Sequence, residues 1–170
     1  MIRTRLKHVW CPSPNIGERT LQVDMLLMHY TGMKSGEAAV NWLCNEESGV
    51  SCHYLVDEDG SITQMVCESQ RAWHAGKSSW QGVEDINSCS IGIEVQNSGP
   101  LDDFPEFPAV QIAAVIELSK DILKRHSIVS VRVLGHSDVA PGRKIDPGEK
   151  FPWELLAKEG VGCWPHPKTP

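Results

Sequence analysis

Two imidazoles and one carboxylate stand where a fold could gather them. His29 closes one apolar run, His136 closes another, and Asp146 lies in a turn-rich stretch shortly after. Two histidines and a carboxylate are the donor types of a catalytic zinc site, in which three protein ligands leave a fourth position for water. Spacing alone is weak support, because His29 and His136 are far apart and no H-x-x-x-H pair places two ligands on one helix face. An isolated histidine is more often a hydrogen-bonded structural residue. A second chemistry is open to the cysteines: Cys52, Cys67 or Cys89 as nucleophile with His53 or His74 as base. None of the three sits in a recognisable nucleophile turn. With no C-x-x-C pair among Cys11, Cys44, Cys52, Cys67, Cys89 and Cys163, reduced and mostly buried thiols are expected.

These residues need elements to hold them. Asp24 to Tyr30 is a continuous apolar run and predicts a strand buried on both faces, with His29 at its end. Ser35 then caps a helix over 36–44, where Ala39, Val40, Leu43 and Cys44 recur at helical spacing. The Asp59-Gly60 pair predicts a hairpin joining strands over 51–56 and 61–66. Residues 71–87 carry Trp73, His74 and Trp80 without a sustained period and predict a long loop, a length usually reserved for function. In the strand predicted over 90–95, Glu94 points to the face opposite Ile93 and Val95. The longest helix is predicted over 108–125, a strand over 129–134, and a last short helix over 151–158 with Pro152 in its first turn. Residues 11–20 read as an irregular arm with no chemistry of its own.

Composition limits the partners. The chain has 170 residues, about one domain, and its 16 basic against 22 acidic residues give a net charge of -6. That balance offers no footprint for a nucleic-acid backbone or an anionic membrane, and no run approaches the roughly 18 apolar residues of a membrane span.

Four blocks carry a resemblance. Leu27-Met28-His29-Tyr30-Thr31, Arg71-Ala72-Trp73-His74-Ala75-Gly76, Ser90-Ile91-Gly92-Ile93-Glu94 and the stretch from Gly135 to Gly148 resemble, in the same order, the zinc-dependent N-acetylmuramoyl-L-alanine amidases of the amidase-2 family. That family shares its fold with the peptidoglycan recognition proteins. Phe151-Pro152-Trp153 and the stretch from Gly160 to Pro165 are similar to its AmiD-type branch. The resemblance implies a single α/β domain with a central mixed β-sheet flanked by helices, extending over 24–165 after an arm over 1–23 and before a tail over 166–170.

It also implies a Zn2+ ion held by His29, His136 and Asp146, with Glu94 as proton shuttle and Lys144 beside the developing oxyanion. If 144–146 is extended, Lys144 and Asp146 share a side while Arg143 diverges toward the stem peptide, where its guanidinium suits a carboxylate. Trp73 and His74 are implied to line the substrate groove. His53 matches a recurrent family histidine, either supporting the site or bonded in the core, and Asp138 reads as a turn residue. The implied activity is hydrolysis of the amide between N-acetylmuramic acid and L-alanine in peptidoglycan or muropeptides; a recognition module that keeps the groove without catalysis is the alternative. A monomer is expected, placed in the cytoplasm because the basic start lacks an apolar leader core, or in the cell envelope if a leader has been removed.

Overall fold

The computed structural model describes residues 4–165. The 166–170 tail lies outside the described residues. Six strands form the main sheet in the order β1-β5-β4-β7-β3-β8, with β1 Val9–Trp10, β3 Met25–Tyr30, β4 Tyr54–Val56, β5 Ile62–Gln64, β7 Ser90–Val95 and β8 Val133–Gly135. The inner pairs β4·β7, β7·β3 and β3·β8 are parallel, whereas the β4·β5 hairpin is antiparallel, so the sheet is mixed. A separate antiparallel ribbon joins β2 Ile16–Gly17 to β6 Arg71–Ala72.

β3 is central, and its residues from Met25 to His29 are buried, as a strand covered on both faces must be. Its alternation divides the core. Leu26 and Met28 join Ile91, Ile93 and Val95 of β7 against helix α3, Ala109–His126. Met25 and Leu27 face the other way, onto Ala75, Ile86, Cys89 and Val139. Each such fully buried Leu, Ile or Met side chain stabilises the fold by roughly 1.5–3 kcal/mol relative to exposure. α3 presents Ile112, Val115, Ile116 and Ile122 at helical spacing and stops where Ser127 takes φ +53°. Helix α1, Gly36–Leu43, is capped by Ser35, whose hydroxyl accepts from the Ala38 N–H at 3.2 Å. It packs Ala39 and Leu43 against Cys52, Leu55 and Met65.

Some expectations need correction. Residues 130–132 form a short 3-10 turn, and the strand is Val133–Gly135. Val129 and Val131, whose alternation imitates a strand, are 59% and 63% exposed because no neighbouring strand reaches them. The arm is less irregular than expected, contributing β1 to the sheet edge and β2 to the ribbon. The 71–87 loop begins as β6 and runs into the short helix α2, Ile86–Cys89. Pro152 precedes the last helix, α5 Trp153–Lys158, instead of lying inside it.

Gly92 shows how tightly the site face of β7 is packed. A Cβ there would lie 2.6 Å from His74 Nδ1 and 2.8 Å from Cys52 Sγ, both on buried side chains. Gly92→Ala should therefore cost about 1–3 kcal/mol and lower the melting temperature by several degrees in a thermal unfolding scan. An unchanged midpoint would mean that the space beneath His74 is slack.

Candidate metal centre and active site

Three parallel strands deliver the site at their carboxyl ends. His29 is the fifth residue of β3, and the β3·β7 register pairs it with Glu94, which puts both side chains on one face. The β3·β8 register aligns Met28 with Gly135, so the next residue, His136, emerges beside His29 as it opens the short helix α4, His136–Val139. Asp138 caps this corner by accepting from the Gly135 N–H at 2.7 Å. Asp146 comes back from the following loop, its carbonyl accepting from the Ser137 N–H at 3.0 Å.

The three donors converge. His29 Nδ1, His136 Nδ1 and Asp146 Oδ2 are mutually 3.0 Å apart, close to the roughly 3.3 Å donor spacing of a tetrahedral ion with bonds of about 2.0–2.1 Å. Protons do not hold them together, as the surrounding hydrogen bonds make clear. His136 Nε2 lies 3.0 Å from the Ala75 carbonyl and must donate to it, leaving Nδ1 with a lone pair. The Ser90 hydroxyl donates to the Ile86 carbonyl at 2.5 Å, so its oxygen accepts from His74 Nε2–H at 3.2 Å. His74 Nδ1 is then an acceptor and takes the His29 Nε2–H at 2.9 Å, which leaves His29 Nδ1 bare as well. Two nitrogen lone pairs and a carboxylate oxygen thus point at one another, an arrangement that a cation stabilises and that no proton of these tautomers relieves.

The electrostatics agree. Burial, reinforced by the neighbouring His136, lowers the His29 pKa to about 4, so the ring is neutral. Burial would raise the Asp146 pKa, but its contacts with His136 and His29 outweigh it and hold the carboxylate well below its usual range. Glu94 goes the opposite way: burial, then the charge of Asp146, raises its pKa well above that of an ordinary glutamate, against a smaller opposing effect of Lys144. The pKa values of two nearby carboxyl groups are thereby pushed apart, one favouring the ionised form and one able to carry a proton. Glu94 Oε2 is buried and makes no hydrogen bond within the protein.

A cavity of about 580 Å3 opens over the centre. Its walls include Glu94, Trp73, Arg143 and Lys144, with Trp42 and Leu43 of α1 on another side. His74 borders it from below, buried and bonded to His29. It lines the cavity as expected and, in addition, acts on His29 through this bond. The local extension on which the expected divergence of Arg143 and Lys144 rested is absent: the backbone turns here, both N–H groups reaching the Ala140 carbonyl, and both side chains line the cavity. Arg143 donates from Nη2 to the Ala75 carbonyl at 2.7 Å, the same oxygen that orients His136.

His53 does not reach the three donors. Its Nδ1 accepts from the Gly92 N–H at 3.0 Å, and burial, then the charge of Arg19, lowers its pKa to about 3. Arg19, in the arm expected to be inert, is a half-buried cation that donates to the carbonyls of Glu68, Asn87, Ser88 and Ser90 and ties down the start of β7. Asn87 does the same for the 73–76 loop, its Oδ1 accepting from the N–H groups of His74 and Ala75. Neither role has a local sequence signal, since each partner comes from a distant segment.

His29, Cys52 and His74 form a second donor group on the other side of the His29 ring. It is the poorer metal site, because a proton already joins His29 Nε2 to His74 Nδ1 and burial holds the Cys52 thiol pKa well above its usual value.

With fold and site in hand, comparison with known proteins places the chain. Residues 19–149 match the family described as N-acetylmuramoyl-L-alanine amidase, and the chain belongs to that family. Over 156 residues it is 40% identical to N-acetylmuramoyl-L-alanine amidase AmiD of Escherichia coli, an alignment covering 85% of this chain and 55% of the relative. It is 29% identical over 164 residues to 1,6-anhydro-N-acetylmuramyl-L-alanine amidase AmpD of Enterobacter cloacae, covering 86% of each. The chain spans about half the length of the AmiD relative and of AmpD from Haemophilus influenzae. Among solved structures, E. coli AmiD in complex with the substrate anhydro-N-acetylmuramic acid-L-Ala-D-gamma-Glu-L-Lys superposes with a TM-score of 0.78 at 35% identity, covering 90% of this chain and 68% of that one. No helix among the described residues is long and apolar enough to cross a membrane.

The two donor groups predict different outcomes. Asp146→Ala should reduce affinity for a divalent transition-metal ion at least about 100-fold, whereas Cys52→Ser should still bind one equivalent per chain, both measured by competition with a chromophoric chelator. Loss of binding in Cys52→Ser alone would move the centre to the other face of His29.

Proposed function

We propose that this chain is a zinc-dependent amidase that hydrolyses the bond between the lactyl carboxyl of N-acetylmuramic acid and the L-alanine of the stem peptide, in peptidoglycan or muropeptides. The observation that carries the reading is the convergence of His29 Nδ1, His136 Nδ1 and Asp146 Oδ2 at 3.0 Å beneath a cavity that also holds Glu94. Family membership and the muropeptide bound by the AmiD relative support the choice of substrate.

His29, His136 and Asp146 would hold the zinc, which when bound supplies Lewis acidity to polarise the amide carbonyl and ease deprotonation of the attacking water. Glu94 accepts the water proton at its unpaired Oε2 and delivers it to the alanine nitrogen as the C–N bond breaks. A new C–O bond forms at the lactyl carbon, and the products are a free lactyl carboxylate and a free amine. Burial and the neighbouring Asp146 charge raise the Glu94 pKa, which favours uptake of the water proton and so suits the carboxyl group to carry it to the leaving amine.

Lys144, exposed at the cavity rim, offers its ammonium to the oxygen that gains charge in the transition state. Arg143, with Nη2 fixed on Ala75, presents the rest of its guanidinium to a carboxylate of the stem peptide. The ring of Trp73 supplies a wall against which the peptide packs.

Glu94→Gln keeps the shape but cannot take a proton, so zinc should remain bound while turnover falls roughly 100-fold or more. Zinc loss in that variant, measured by elemental analysis, would make Glu94 a ligand instead. The two cations should separate in steady-state kinetics. Lys144→Ala should lower kcat by roughly 10- to 100-fold with little change in KM, whereas Arg143→Ala should mainly raise KM, and only for peptides that retain the side-chain carboxylate of the third-position diamino acid. Equal loss with and without that carboxylate would assign Arg143 to holding Ala75 alone.

A further inference from the structure

A second cavity of about 360 Å3 adjoins the first, and Tyr30 and Ile145 line both. The ridge between them is built with care. Tyr30 follows the donor His29, and three glycines in the left-handed region close around its ring: Gly32 (φ +62°), Gly99 (φ +56°) and Gly148 (φ +85°). A Cβ would lie 3.4 Å from the ring at Gly32, 3.0 Å at Gly99 and 3.6 Å at Gly148. Side chains are thus doubly disfavoured there, by backbone conformation and by the ring itself.

On the far side, Asp103 and Phe104 occupy consecutive left-handed conformations, φ +56° and +52°, which non-glycine residues rarely adopt. Hydrogen bonds hold them there. The Phe104 N–H donates to the Gly99 carbonyl at 2.8 Å, while Asn97 donates from Nδ2 to the Pro105 carbonyl at 2.8 Å and accepts from the Gly99 N–H at 2.8 Å. The result sets the Phe104 ring 6.5 Å from Tyr30 at 62°, both facing the second cavity.

Charge distinguishes the two compartments. The first has Arg143 and Lys144 on its wall, suited to the carboxylates of a stem peptide. The second has Asp103 and Glu149, and its one cation, Lys150, lies 3.4 Å from Glu106 in an ion pair. Such a compartment repels a peptide carboxylate. Aromatic rings beside carboxylate acceptors suit a neutral pyranoside, whose C–H faces lie on the rings while its hydroxyls donate to Asp103 or Glu149. Its volume falls within the range of about 300–1,000 Å3 typical of small-ligand sites.

We propose that this second cavity is a subsite for the uncharged amino sugar adjoining the muramoyl residue under attack, so that stem peptides on a glycan chain are preferred over those on a single sugar. The proposal rests on the amidase reading and deepens it, because it orders the substrate with peptide toward Arg143 and glycan across Tyr30.

The test uses the zinc-loaded full chain and one stem peptide carried either on a single N-acetylmuramic acid or on a tetrasaccharide of alternating N-acetylglucosamine and N-acetylmuramic acid. The wild type should show about tenfold higher kcat/KM for the tetrasaccharide, a ratio that Phe104→Ala should bring close to one and Phe104→Trp should preserve. N-acetylchitotriose, which contains no scissile amide, supplies an independent binding readout. Its saturation-transfer NMR signals should appear with the wild type and with Phe104→Trp and vanish with Phe104→Ala, whose fold is checked by its melting temperature. A wild-type ratio of one overturns the proposal. So does a Phe104→Ala defect that follows stem-peptide length in place of glycan length, which would make the compartment a peptide site. Binding of chitotriose that depends on Phe104 in a protein that cleaves neither substrate would remove the amidase reading and leave the sugar subsite standing.

Discussion

Three lone pairs held 3.0 Å apart with no proton among them set the terms for the rest of this structure. Such a cluster is electrostatically unfavourable by itself, and a fold can maintain it only if each donor is fixed from behind. His136 is fixed by the Ala75 carbonyl, His29 by a chain of hydrogen bonds through His74 to Ser90, and Asp146 by its own backbone carbonyl. The chain through His74 does more than orient a ring. By fixing which nitrogen carries the proton, it leaves the other bare in the cavity.

The scaffold behind these bonds is correspondingly stiff. Three parallel strands end together, so His29, Glu94 and His136 come from backbone that is hydrogen-bonded up to the site. Glycine 92 admits His74 beneath β7, and Arg19 and Asn87 tie the surrounding loops by their carbonyl and amide groups. These contacts place rigidity under the donors and leave Lys144 and the outer cavity wall exposed, where a substrate must enter and leave.

The same centre sorts its acids and the charges around it. Burial alone would raise the pKa of both Asp146 and Glu94, yet only Asp146 faces two imidazoles, so the two carboxyl groups are shifted in opposite directions. Around them the cavity changes sign, from the cations Arg143 and Lys144 on one side of Tyr30 to the acids Asp103 and Glu149 on the other. Under the proposed function, an anionic peptide and a neutral glycan would meet complementary surroundings in one orientation only.

Local pattern determined much of this in advance. The apolar run into His29, the Asp59-Gly60 hairpin, the helical period of 109–126 and the alternation around Glu94 each depend on residues within a few positions of one another, and they were legible for that reason. The four family-like blocks added the identities of the donors. Pattern misled where a neighbour was missing: Val129 and Val131 alternate like a strand but have nothing to pair with. The pairing of His29 with Glu94, the proton chain that makes His74 a support for His29, the turn that brings Arg143 back onto Ala75, and the half-buried Arg19 in an arm without motifs were decided by tertiary structure alone. Each joins segments distant in the chain, and strand register, tautomer and side-chain convergence are set by such contacts, which leave no periodic trace in the sequence.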